Sequence, residues 1–328
     1  MMRTKLAPLF VATILVASFC MTACGSTPNQ GGGSNQPKQY LVGESNLGLS
    51  FPFPASIGRG IKEEANKLGV RLIELDAQGS AEKESNDVQD LLARKPDGIL
   101  LLPLDAGLAA QLVDKINVTH IPVIAVASAA GKDRPLKDVY PGLTALFTQD
   151  EYKAGAEAAQ MALKALPNGG KVAIVEGQAG FAEVQEREQD FKTTLDQSGK
   201  YTVVANQPGD WLPDKGQAAC ANMLVSHPDI SLFYAESDDM AVGCTKAVTA
   251  AKSHALVIGV GGSHAAIEAI KNGQLFGTIC YKPETLGQLS MDALYQQLTG
   301  KEHYAHTFLT YDIPTITKDN VDQCESQW

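Results

Sequence analysis

From Tyr40 onward the chain alternates between two hydrophobic periods. Tyr40 to Ser45 (YLVGES) reads as a strand. ASIGRGIKEEANKLG reads as a helix with Ile57, Ile61, Ala65 and Leu68 on one face and Gly69 as its stop. VRLIELDA is a second strand, AEKESNDVQDLLAR a second helix, and PDGILLLPL a third strand that is apolar almost throughout. A strand of that kind is buried on both faces, as in a parallel sheet covered by helices. AGLAAQLVDKIN and IPVIAVAS repeat the unit, which completes a β-α-β-α-β-α-β half.

The rhythm restarts after Phe147. EYKAGAEAAQMALKAL, AEVQEREQDFKTTLDQSG, DKGQAACANMLVSHP, DDMAVGCTKAVTAA, HAAIEAIKNG and ETLGQLSMDALYQQLTG carry the helical period. KVAIVEG, YTVVANQ, ISLFYAES, ALVIGVGG, LFGTICY and a last strand, TFLTYDI, lie between and after them. The expected fold class is α/β, with two doubly wound Rossmann-like halves following one another. Open sheets of this kind bind ligands at the carboxyl ends of their strands, so two that face each other make a cleft.

The first residues follow a different logic. Arg3 and Lys5 precede an apolar run from Leu6 to Phe19, shorter than the ~20 residues a membrane-spanning helix needs and ordered like a secretory signal. Met21-Thr22-Ala23-Cys24 then resembles the lipobox of bacterial lipoproteins, in which the peptidase cuts before the cysteine and that cysteine carries the lipid. Cys20 fits the pattern less well, because bulky Phe19 precedes it; an ordinary cleaved signal is the alternative. Gly25 to Gln39 is too small and polar to pack a core and reads as a tether. The expectation is a signal peptide over 1–23, then lipidated Cys24 and a flexible segment over 24–39. Such a protein is extracytoplasmic and held to a membrane by acyl chains, on the periplasmic side or the outer cell surface.

Composition narrows this further. With 44% apolar and 20% charged residues the chain is ordinarily globular, and its net charge of −10 argues against nucleic acid as a partner. Six cysteines are present, and setting aside Cys20 and Cys24 leaves Cys220, Cys244, Cys280 and Cys324. Four cysteines in an exported domain allow three pairings, with free buried thiols as the alternative. The expected pairs are Cys220–Cys244, on consecutive helices, and Cys280–Cys324, pinning the last residues to a strand. No CxxC occurs, and His303-x-x-His306 has no acidic or thiol partner in view, so no metal is expected. GVGGS lacks dinucleotide-loop spacing and no GxSxG is present, so neither a cofactor nor a catalytic residue is expected.

GIKEEANKLGVRLIELDAQGSAEKESNDVQDLL, IPVIAV, ANQPGDW with KGQ, HPDISLFYAESDDMAVG and GTICYKPETLG, in this order, resemble the ribose-type periplasmic sugar-binding proteins. These are the substrate-binding components of ABC importers, related to the ligand domain of LacI-type regulators. The resemblance runs from about Tyr40 to about Ile316. It implies two lobes, a three-segment hinge and a cleft that closes on ligand. The hinge would cross near Thr148–Gln149, Tyr281–Lys282 and Thr310–Tyr311. Lobe 1 would be 40–148 plus 282–310, and lobe 2 would be 149–281 plus 311–328. The implied partners are a small-molecule ligand, an ABC permease and, through Cys24, a lipid membrane; the chain is expected to act as a monomer. A ligand-sensing protein that docks on a membrane receptor is the alternative role.

The binding pattern of that family is altered here. Ser50-Phe51-Pro52-Phe53-Pro54 stands where Asn-Asn-Pro-Phe-Phe is usual, and Ala127-Ser128 where an Asp-Arg pair is usual. Gln185 replaces an arginine, with Arg187 nearby. Ser237 replaces an asparagine before the acidic pair, Gly261 an aspartate, and Tyr281 the hinge glutamine. Trp211 keeps its aromatic. Sugars are gripped by charged groups that hold neighbouring hydroxyls and by aromatics on the apolar ring face. Losing four such charges points to a smaller or less hydroxylated neutral ligand, such as a polyol, a deoxysugar or another small carbonyl compound, within a sugar-like class. The expected binding set is Phe51, Phe53, Ser128, Asp150, Gln185, Trp211, Ser237, Asp238 and Tyr281. Asp238 also stands where a helix N-cap would.

Overall fold

A computed structural model describes residues 38–328, of which Gln39–Trp328 form one compact unit. The signal, Cys24 and most of the tether lie outside the described residues. Strands β1 (Leu41–Asn46), β2 (Arg71–Asp76), β3 (Gly98–Leu102), β4 (Val123–Val126) and β5 (Ala145–Phe147) alternate with helices α1 (Pro52–Leu68), α2 (Ala81–Ala93) and α3 (Ala106–Asn117). Then follow α4 (Glu151–Ala165), β6 (Gly170–Glu176), α5 (Ala182–Ser198), β7 (Tyr201–Pro208), α6 (Pro213–Ser226) and β8 (Ile230–Ala235). The last elements are α7 (Asp238–Ala250), β9 (Leu256–Val260), α8 (His264–Lys271), β10 (Gly277–Ile279), α9 (Pro283–Thr299), β11 (Thr307–Leu309) and β12 (Thr315–Thr317).

The strands form two sheets, ordered β11-β5-β4-β3-β1-β2 and β12-β10-β9-β8-β6-β7. Every pairing is parallel except β10 with β12. Each sheet with its helices is one lobe. The apolar run of β3 explains why the sheet is covered on both faces. Leu100 and Leu102 enter one buried cluster with Ile57, Ile61 and Leu294, while Ile99 and Leu101 enter another with Leu112 and Ile116. β8 divides its side chains in the same way, Leu232 and Tyr234 to one face, Phe233 and Ala235 to the other.

Three differences from the sequence reading have local causes. α1 begins at Pro52, three residues before the helix read from Ala55. Proline suits the first helical turn, where its missing N–H has no partner to lose. Of the strand read over TFLTYDI only Thr307–Leu309 pairs, as β11 beside β5 in the first sheet; β12 begins beyond it, at Thr315, beside β10 in the second. The chain leaves the first sheet once Leu309 has paired with Phe147. β5 itself was too short to show a period.

The chain passes between sheets at 148–150, 280–282 and 310–314. One hydroxyl joins all three passages. Tyr311 Oη accepts from the Lys282 backbone N–H at 3.0 Å and from Gln149 Nε2 at 3.1 Å. Cys220 is bonded to Cys244, between α6 and α7, and Cys280 to Cys324, with Cα separations of 5.4 and 5.9 Å.

Candidate functional site

The carboxyl ends of both sheets face each other, and the loops that leave them carry the chemistry. Helix starts decide what they offer. α1, α5, α6 and α9 follow Phe51, Phe181, Leu212 and Lys282, none of which caps with its side chain. α4 and α7 are capped by Asp150, which accepts from Lys153 N, and by Ser237, which accepts from Met240 N.

The centre of the second lobe's face is Arg187 on α5. Its Nη2 donates to Glu151 Oε1 at 2.9 Å, its Nε to Glu151 Oε2, and its Nη1 to the Glu236 carbonyl at 2.7 Å. The guanidinium lies 5.6 Å from the Trp211 ring centroid and 5.5 Å from that of Tyr281. Burial opposes its charge, and Glu151 with Tyr281 and Glu236 outweighs that and holds it firmly protonated. The Tyr281 hydroxyl donates to Glu151 Oε2, and its ring faces Phe53 of the first lobe at 6.5 Å.

Acids surround this core. Glu236 Oε2 accepts from Gly177 N at 2.8 Å, and burial pushes the group up to about 8. Glu183 lies near Ser128 of the other lobe and is raised by burial to about 7. Glu236 Oε1 and Glu183 Oε1 are buried and have no hydrogen-bond partner among the described residues. Glu186 Oε1 accepts from the Leu136 backbone N–H at 2.6 Å, which ties the β4–β5 connection to α5. Asp238 accepts from Ser263 N at 2.7 Å and Thr278 Oγ1 at 2.6 Å, and burial raises it to about 7.

The structure therefore brings together Phe53, Ser128, Trp211, Tyr281 and Asp238 from the expected set. Gln185 is exposed and takes no part; Arg187, two residues on, occupies the site in its place. Two residues turn a helix side chain by ~200°, so Gln185 faces solvent when Glu183 and Arg187 face inward. Phe51 is 43% exposed and covers Gly48 and Gly79 at the rim. Asp150 caps α4 and pairs with Lys137 at 2.8 Å, and Ser237 is the cap of α7, so Asp238 is free of that role. Glu183 and Glu186 went unread, and Arg187 was noted only as a neighbour of Gln185, although their i, i+3, i+4 spacing puts all three on one face of α5.

Trp328 was also missed. Its ring packs edge-on against Phe53 at 5.3 Å, and its Nε1 donates to the Gly261 carbonyl at 2.9 Å. A Cβ on Gly261 would come within 2.6 Å of the indole. The signal was available: with Cys324 bonded beside Tyr281, four further residues reach at most ~14 Å from that point.

Two largely parallel sheets, each covered by helices, that face each other over a cleft and are joined by three chain crossings define a two-lobed solute-binding protein. The chain belongs to the periplasmic binding protein domain family, whose pattern matches residues 44–302. It is 33% identical over 296 residues to the ribose import binding protein of Bacillus subtilis, covering 89% of this chain and 94% of that one. It is 31% identical over 255 residues to the ribose import binding protein of Escherichia coli, covering 77% and 83%. Among solved structures, an ABC transporter solute binding protein from Mycobacterium smegmatis with bound glycerol superposes with a TM-score of 0.79 at 26% identity, over 87% of this chain and 96% of that one. The family is one of solute-binding proteins for transport.

Proposed function

We propose that this chain is an extracytoplasmic lipoprotein that captures a small neutral polyhydroxy ligand (a polyol, deoxysugar or sugar) between its lobes and delivers it to an ABC permease. How the cleft spends its charges carries this reading. Arg187 is committed to Glu151 and to the Glu236 carbonyl, and Asp238 to Ser263 and Thr278. What remains for a ligand is Glu183 Oε1, Glu236 Oε1 and the faces of Phe53, Trp211 and Tyr281. Carboxyl oxygens without partners suit hydroxyl donors, and aromatic faces suit the C–H side of a carbon chain or ring. A phosphate or carboxylate ligand would meet acids and, among the described residues, no uncommitted buried cation. The relatives above that import ribose or hold glycerol support the same class.

In this reading the lobes are 40–148 plus 282–310 and 149–281 plus 311–328, and they pivot at the three crossings. A ligand that touches both lobes favours the closed arrangement because it binds that state better. Cys24 holds the protein to the membrane by acyl chains, and the protein works as a monomer.

The test is a thermal-shift screen of Gln39–Trp328 against pentoses, hexoses, deoxysugars, polyols and small organic acids, followed by titration calorimetry. A ligand at a hundred times its Kd stabilises by ~2.7 kcal/mol, a rise of several degrees at this size. Hits confined to neutral polyhydroxy compounds are expected. Stabilisation by acids alone would overturn the reading.

A further inference from the structure

The last residues of the chain reach both lobes. On the second lobe, Cys324 is bonded to Cys280, the Trp328 main-chain oxygen accepts from His264 N at 2.8 Å, and the indole is held by Gly261. On the first lobe, the Gln327 carbonyl accepts from Ser56 Oγ at 2.7 Å and from Arg59 Nη2 at 2.8 Å. The Gln327 side chain pairs twice with Thr285 of α9, accepting from its N–H at 3.0 Å and donating to Oγ1 at 2.8 Å. α9 packs in the first lobe's core through Leu286 and Leu294.

Gly261 is where the ribose-type pattern places an aspartate. A side chain there would collide with the Trp328 ring and would come within 3.0 Å of Asp238 Oδ2. The glycine thus makes the space that the indole fills. Trp328 lies between Phe53 of one lobe and Gly261 of the other, which is a wall of the cleft.

We propose that segment 324–328 is part of the binding site: Trp328 supplies an aromatic wall that narrows the cleft towards small ligands, and Gln327 latches the first lobe when the lobes meet. The latch is carried by the second lobe, because the disulfide fastens it there. Opening the lobes must break the Ser56, Arg59 and Thr285 bonds to Gln327. The proposal rests on the cleft as the ligand site.

Two measurements test it on Gln39–Trp328. In the first, Kd values are taken for D-ribose, xylitol, myo-inositol and glycerol with the wild type, Trp328→Ala and Trp328→Phe. For the best wild-type binder, Trp328→Ala weakens binding roughly tenfold, and Trp328→Phe recovers most of it. The order of preference also shifts towards the larger rings in Trp328→Ala. Unchanged affinities and order in a folded Trp328→Ala overturn the wall. In the second, small-angle X-ray scattering compares the wild type with the triple variant Ser56→Ala, Arg59→Ala, Gln327→Ala. A larger radius of gyration in the variant is expected, and equal radii overturn the latch. A wild type that binds none of the four compounds removes the support for the proposed function and for the wall, while the scattering result still decides the latch.

Discussion

Arg187 and Glu151 form a two-point ion pair inside the second lobe, Nη2 to Oε1 at 2.9 Å, with side-chain exposures of 8% and 1%. The pair joins the first turn of α4 to α5 and sets the floor on which Trp211 and Tyr281 stand. Desolvation of two charges is costly, so the pair's value lies in its geometry more than in net stability. Arg187→Ala should cost about 3–5 kcal/mol in urea unfolding, because it leaves Glu151 uncompensated. Arg187→Met with Glu151→Met should cost much less than the single change. An additive double variant would show that the two do not act as a unit.

The pH dependence follows from acids raised by burial. Glu44 and Glu236 move from 4.5 to about 8, and Asp238 from 3.8 to about 7. A carboxyl with a higher pKa folded than unfolded holds more protons in the native state between those values. Its contribution is complete below the unfolded pKa and is lost as pH rises through the folded one. Stability should therefore fall between pH 4.5 and 8, and the melting midpoint should be higher at pH 5.5 than at pH 8.5. Glu44→Gln, which mimics the protonated form away from the cleft, should flatten that slope. An unchanged slope would rule out Glu44 as a contributor.

Helices α1 and α9 touch through glycine. A Cβ on Gly60 would sit 1.9 Å from the Glu284 carbonyl oxygen, and one on Gly287 2.1 Å from that of Ile57. The obstacle is backbone, which cannot turn aside as a side chain can. Gly60→Ala should destabilise by about 1–3 kcal/mol, despite alanine's better helix propensity. A stabilising result in denaturant titration would contradict the close approach.

The Tyr311 hydroxyl is the shared acceptor of the crossings at Gln149 and Lys282. Tyr311→Phe leaves two donors short of a partner, at about 1–3 kcal/mol. If the crossings are the hinge, ligand affinity should change along with stability. Calorimetry with the best ligand of the screen checks this; an unaltered Kd would place Tyr311 outside the closing motion.

Removing Cys220–Cys244 by double alanine substitution should lower stability by about 2–4 kcal/mol, chiefly by freeing the unfolded chain. Guanidinium unfolding of the oxidised wild type beside the variant measures it. Equal midpoints would show that this bridge adds no stability.

The sequence by itself determined the α/β class, the two successive halves and the identity of most strands. These follow from periods of about two and 3.6 residues, and a period is a property of near neighbours. GILLL announced a strand buried on both faces because no polar position interrupts it. TFLTYDI misled for the same reason: its alternation continues across the point where the chain changes sheets, since a local pattern does not name the partner strand.

The site was legible only in part. Phe53, Tyr281 and Trp211 could be placed by their position after strands. That Arg187 and not Gln185 faces inward needed the rotation of α5, which a boundary error of two residues reverses. That Trp328 meets Phe53, 275 positions earlier, needed the sheet order and the Cys280–Cys324 bond together. Only the tertiary structure decided which charges are committed to each other, because those pairs join elements distant in sequence. Burial then set their pKa values, and burial belongs to the packed whole.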